Sequence, residues 1–119
     1  MTIHHARLSR TTLPPATILP GDPGYDEARI TFNGMLDRRP AAIIPCASTD
    51  DVVAAVRAAR AAGLPIGIRG GGHSVAGHCI PDDALVVSLA AMRTVSVDPD
   101  RRRADAGGGA LWEDRKSVV

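Results

Sequence analysis

Ten consecutive residues, Arg69-Gly70-Gly71-Gly72-His73-Ser74-Val75-Ala76-Gly77-His78, bring together the side chains and backbone of this sequence best suited to chemistry. Three successive glycines remove every β-carbon, so backbone N–H groups can turn inward and surround an anion such as a pyrophosphate. A plain flexible turn is the other reading of the same run. Two familiar phosphate motifs are excluded. The G-x-G-x-x-G dinucleotide fingerprint needs a third glycine where Val75 stands and a helix straight after the loop. Gly72 and Gly77 have P-loop spacing, but His78-Cys79 replaces the Lys-Ser/Thr pair that must hold phosphate and magnesium. His73, His78 and Cys79 lack a fourth ligand at a customary distance, so no metal site is expected.

Within the loop each side chain has a functional and a structural reading. A neutral His73 imidazole is a good nucleophile toward an electrophilic carbon, or the residue is simply packed or at the surface. Ser74 and Gly77 contact a bound group, or they make the turn. Arg69 neutralises phosphate, or it pairs with a carboxylate. Tyr25, the single tyrosine, sits in an early turn and reads as a packing residue rather than a base.

Residues 41–45 are a short apolar run ending at Pro45, as expected of a buried strand. Ser48 and Asp51 form a capping box, Val52, Val53, Val56 and Ala59 line one face, and Gly63 stands at the left-handed C-cap position. These signals predict a helix over 48–62. Ile66-Gly67-Ile68 then alternates as a strand, giving a strand–helix–strand unit whose two strands should run parallel. The glycine loop leaves the end of that second strand. Upstream, turn signals at Gly21, Asp22, Pro23 and Gly24 precede Ala28, Phe32, Met35 and Leu36 at helical spacing, which predicts a short helix. Downstream, residues 84–89 read as an apolar strand, and 94–98 and 102–106 as a hairpin around Asp98-Pro99-Asp100. The class is α+β. Gly107-Gly108-Gly109 marks a second place where the backbone approaches something closely.

At 119 residues the chain is one domain at most. Its 14 basic and 13 acidic residues nearly cancel, so no global field draws in nucleic acid or an anionic membrane, and small-molecule chemistry is the better starting point. Two cysteines, Cys46 and Cys79, make no disulfide framework. Residues 1–20 contain no apolar stretch long enough for a signal peptide or span. A reducing, cytoplasmic location is the expectation. Residues 1–20, polar and proline-interrupted, are expected to be mobile. The single lysine, Lys116, falls within residues 114–119, which close no structural unit and are what translation of a common sequencing adapter yields. A non-native tail on a truncated gene product is expected there.

The glycine loop, together with the stretch from Asp26-Glu27-Ala28-Arg29 through Asn33-Gly34-Met35, Asp37-Arg38-Arg39-Pro40, the helix from Asp51 to Arg57, Val86-Val87-Ser88-Leu89 and Gly108-Gly109-Ala110-Leu111-Trp112, resembles bacterial FAD-linked oxidases. The similarity is to the berberine-bridge-enzyme-like group of the vanillyl-alcohol-oxidase (PCMH) superfamily, and it runs in order from about Gly21 to Trp112. That resemblance implies that residues 21–113 are a partial PCMH-type FAD-binding domain, its first α/β subdomain, with the second subdomain and the substrate domain missing. It implies FAD as cofactor, held by Arg69, Gly70, Gly71, Gly72, His73, Ser74, Gly77 and His78. It further implies covalent attachment of the flavin 8α-methyl carbon to a ring nitrogen of His73. The implied reaction is hydride transfer from a substrate C–H bond to flavin, with reoxidation by oxygen, on a sugar, alcohol or alkaloid-like amine. No catalytic base is assigned, and a fragment of this length is expected to be inactive alone. Two other classes stand beside this reading: a small non-catalytic flavin- or nucleotide-binding module, and a plain α+β interaction domain.

Overall fold

The computed structural model describes residues 8, 13–30, 37–70 and 82–111. Its elements run α1 (Tyr25–Ala28), β1 (Ala42–Pro45), α2 (Thr49–Ala62), β2 (Ile66–Arg69), β3 (Leu85–Ser88), β4 (Val95–Asp98) and β5 (Arg103–Ala106).

Both ends of α2 form for the reasons visible in the sequence. The Ser48 hydroxyl accepts from the Asp51 N–H at 3.3 Å, and the Asp51 carboxylate accepts from the Ala47 N–H at 3.0 Å, so two otherwise orphaned donors are satisfied. Gly63 closes the helix at φ 67, and the Leu64 N–H returns to the Ala59 carbonyl at 3.0 Å. The buried seam differs from the expected one. Ala55 and Ala59 are the fully buried positions, with Val52 and Ala58 packed beside them, while Val53 is 42% exposed. Val53 lies about 100° around the helix from Val52, so only one of the two can face the sheet. Small alanines at the contact let the helix backbone approach the strands closely.

β1, β3 and β2 form a parallel sheet in that order, with β3 in the middle. The strands before and after α2 are therefore parallel, but they are not neighbours. Alternation along each strand divides the core in two. Ala42, Ile44, Leu85 and Val87 face α2 with Ala55, Ala59 and Cys46, whereas Ile43 and Val86 face Tyr25, Ile18 and Ala28. Ile18 also bridges Ile43 in antiparallel fashion, covering the free edge of β1. β4 and β5 pair antiparallel, Val95 opposite Ala106 and Asp98 opposite Arg103, as the turn predicts.

The helix predicted after Gly24 is one turn long, from Tyr25 to Ala28 with Arg29 as its C-cap. Phe32, Met35 and Leu36 lie outside the described residues. Tyr25 packs as expected: it is 4% exposed and its hydroxyl donates to the Pro40 carbonyl at 2.8 Å. Burial pushes its phenol above the usual range, partly offset by the nearby Arg29 and Arg39 charges. Cys46 is wholly buried, with its thiol donating to the Ile44 carbonyl. Burial first, and the Asp51 charge second, push that thiol up, so it stays protonated and packs as a small apolar side chain.

The hairpin has an apolar face made by Val95, Val97, Ala104 and Ala106, and these residues are half-buried at most. Ile30 and Ile68 are each 60% exposed. Uncovered apolar surface of this kind drives association, and a two-stranded ribbon is marginal without a covered face. The 119-residue chain is therefore expected to self-associate in solution. Light scattering on a size-exclusion column checks this, and a monomer with a sharp cooperative melt would contradict it.

Candidate FAD site

The parallel sheet delivers the glycine loop at its carboxyl end, where ligands of open α/β sheets bind. β2 ends at Arg69, and the Leu89 N–H donates to the Arg69 carbonyl at 2.7 Å, which fixes the strand end against the turn after β3. Of the predicted site residues, Arg69 and Gly70 are described. Gly71, Gly72, His73, Ser74, Gly77 and His78 lie outside the described residues, as does Cys79.

Among the described residues the Arg69 guanidinium makes no ion pair with a carboxylate. It donates from Nη1 to the Ala28 carbonyl, at the end of α1. Its Nε is buried with no hydrogen-bond partner among the described residues. A buried guanidinium N–H left unpaired costs free energy, so this atom is a donor awaiting an acceptor. Gly70 meets a different constraint. A β-carbon there would stand 2.4 Å from the Gly108 carbonyl oxygen. The second glycine run is packed just as closely: β-carbons on Gly107 and Gly109 would stand 2.1 Å from the Met92 carbonyl oxygen and 1.9 Å from the Leu89 carbonyl oxygen. The close approach predicted for this run is to the chain's own backbone.

Arg69, Gly70, Ala90, Arg93, Gly109 and Leu111 line a cavity of about 220 Å³. Two arginines and two glycines in the lining, one of them half-buried at the start of the loop, suit an anionic group. The volume admits a phosphate-sized piece of a dinucleotide rather than the whole. The chemistry of the described donors thus fits FAD. Arg93 carried no signal in the sequence, since a lone arginine after a strand is ordinary. A larger cavity, about 460 Å³, is lined by Leu8, Leu19, Tyr25, Pro40 and others at the amino end of the strands. It is mostly apolar and its tyrosine hydroxyl is already used on Pro40, so the smaller cavity beside the loop is the better site. Among the described residues no group of His, Cys, Asp and Glu could hold a metal ion, and no helix is long and apolar enough to cross a membrane.

Residues 40–117 match the FAD binding domain family. The chain belongs to that family, and FAD is its cofactor. It is 36% identical over 97 residues to (R)-6-hydroxynicotine oxidase of Paenarthrobacter nicotinovorans, a match covering 82% of this chain and 21% of that protein. Among solved structures it is similar to the glucooligosaccharide oxidase of Acremonium strictum, described with a 6-S-cysteinyl, 8α-N1-histidyl FAD. There the TM-score is 0.73 at 38% identity, over 79% of this chain and 20% of that one. It is also similar to BBE-like 1 of Physcomitrella patens, with a TM-score of 0.73 at 28% identity over 80% of this chain and 22% of that one. The α/β architecture is thus that of the FAD-binding domain of FAD-linked oxidoreductases, berberine-bridge-enzyme-like proteins included. The chain spans about a fifth of the length of the curated relatives it matches.

Proposed function

We propose that this chain is the cofactor-holding part of an FAD-linked oxidase acting on a small molecule. The observation that carries the reading is the carboxyl end of β2, where the strand passes into the glycine loop beside a cavity with two arginines and an unpaired Arg69 Nε. In this reading Gly70, Gly71 and Gly72 present backbone N–H groups to the pyrophosphate, and Arg69 neutralises part of its charge. Ser74, Gly77 and His78 complete the cofactor contacts. His73 holds the flavin covalently through a ring nitrogen, an attachment of the kind described for the glucooligosaccharide oxidase. When bound, FAD supplies a hydride acceptor for a substrate C–H bond and is reoxidised by oxygen. The substrate is a sugar, alcohol or alkaloid-like amine, in keeping with the nicotine and oligosaccharide named for the relatives. Cytoplasmic location belongs to the same proposal.

The test uses the product of the native gene, precipitated with acid after purification. The wild-type pellet is expected to stay yellow, and His73→Ala is expected to release its flavin into the supernatant. Complete release from the wild-type protein would remove the covalent link at His73 from the proposal.

A further inference from the structure

The function proposed above uses the first glycine run and leaves the second, Gly107-Gly108-Gly109, without a role. Three pieces of backbone stack at the carboxyl end of the sheet. The end of β2 is held to the turn after β3 by the bond from the Leu89 N–H to the Arg69 carbonyl. That turn is held to the second glycine run by the bond from the Gly109 N–H to the Met92 carbonyl, 3.0 Å. The run in turn carries the Gly108 carbonyl up against Gly70, where no β-carbon fits. Each level of the stack is too close for a side chain: 1.9 Å at Gly109 to the Leu89 carbonyl oxygen and 2.4 Å at Gly70 to the Gly108 carbonyl oxygen. In both places the obstacle is backbone oxygen, which cannot rotate away as a side chain does. Gly108 itself differs, because a β-carbon there would meet the Cδ1 end of Leu89 at 2.5 Å, and that side chain can turn aside.

We propose that Gly107-Gly108-Gly109 is the seat on which the cofactor loop rests, with Gly109 a positioning residue that sets the height of the Gly108 carbonyl under Gly70. The inference rests on the FAD-loop reading and adds to it a device that fixes where the loop leaves β2. A side chain on Gly109 would lift the run away from the Leu89–Met92 turn and shift the Gly108 carbonyl. Gly70, the first residue of the loop, would then shift with it, and the chain would leave β2 along a different path. Pre-organisation of the donors is what this seat supplies. Gly109 also lines the small cavity beside Arg69, so the same shift narrows the space for an anionic group.

The experiment measures FAD dissociation constants by flavin fluorescence in the native gene product carrying His73→Ala, so that binding is reversible. Gly109→Ala and Gly70→Ala are each expected to weaken FAD by tenfold or more and to move the ³¹P resonances of the bound pyrophosphate. Gly108→Ala is expected to bind within about threefold of the parent, because only the end of Leu89 must move. If Gly109→Ala does not fold, Gly70→Ala paired with Gly108→Ala carries the same comparison. Wild-type affinity and unshifted ³¹P resonances in Gly70→Ala and Gly109→Ala, with Gly71→Val defective, would overturn the seat and leave the FAD loop standing. Wild-type affinity in Gly71→Val as well would remove the loop assignment itself.

Discussion

Gly71→Val is expected to weaken FAD binding by about 100-fold, or ~2.7 kcal/mol, in the native gene product carrying His73→Ala. Valine is β-branched and stiff at χ1, so it cannot tuck its methyl groups away from a ligand that approaches the backbone. It also disfavours the backbone conformations open to glycine, from which successive N–H groups converge on one anion. The cause differs from that at Gly70, where the missing β-carbon makes room for the Gly108 carbonyl rather than for a ligand. It differs again from that at His73, whose loss is expected to leave reversible binding intact and to abolish only the acid-stable flavin. Flavin fluorescence quenching gives the affinity directly. An affinity within threefold of the parent would show that the loop does not approach the phosphate closely.

Elements with local causes were legible in the sequence: Ser48, Asp51 and Gly63 act within a few residues of themselves, and α2 begins and ends where they stand. The hairpin was legible for the same reason, since a turn at Asp98-Pro99-Asp100 fixes the register of its flanks. Features that depend on distant chain were not. The order of strands, with β3 between β1 and β2, is set by which apolar faces can be buried together and leaves no trace in periodicity. The Arg69 bond to the Ala28 carbonyl spans 41 residues and uses a backbone acceptor that every residue carries. The choice of Val52 over Val53 as the inward side chain turned on the helix's rotation against the sheet, which two adjacent valines leave ambiguous. For the site, the glycine runs signalled close approach, but only the fold showed that at Gly70, Gly107 and Gly109 the near neighbour is the chain's own backbone.

Val86→Asp is expected to leave little folded protein at pH 7. Val86 has no exposure, lies on the central strand between Ile43 and Gly67, and packs against Tyr25 with Ile18 and Ala28 nearby. Removing the valine loses about 1.5–3 kcal/mol of apolar burial. Even a neutral carboxyl without partners costs roughly 1–3 kcal/mol more. Together these consume much of a typical domain stability of about 5–15 kcal/mol. Ionisation adds to the loss, because desolvation raises the folded-state pKa above the unfolded value near ~3.9. The folded state then holds the proton more tightly than the unfolded state. The added penalty is absent below the unfolded pKa and grows as pH rises toward the folded pKa. Val86→Asn shares the size and polarity but does not titrate, so it isolates that component. Urea midpoints for both variants at pH 5 and pH 7, each relative to wild type, check the argument. The Asp variant is expected to lose more than the Asn variant between the two pH values. Equal losses, or a Val86→Asp protein within about 1 kcal/mol of wild type at pH 7, would mean that the middle of the sheet is open to water and that β3 is not the core strand.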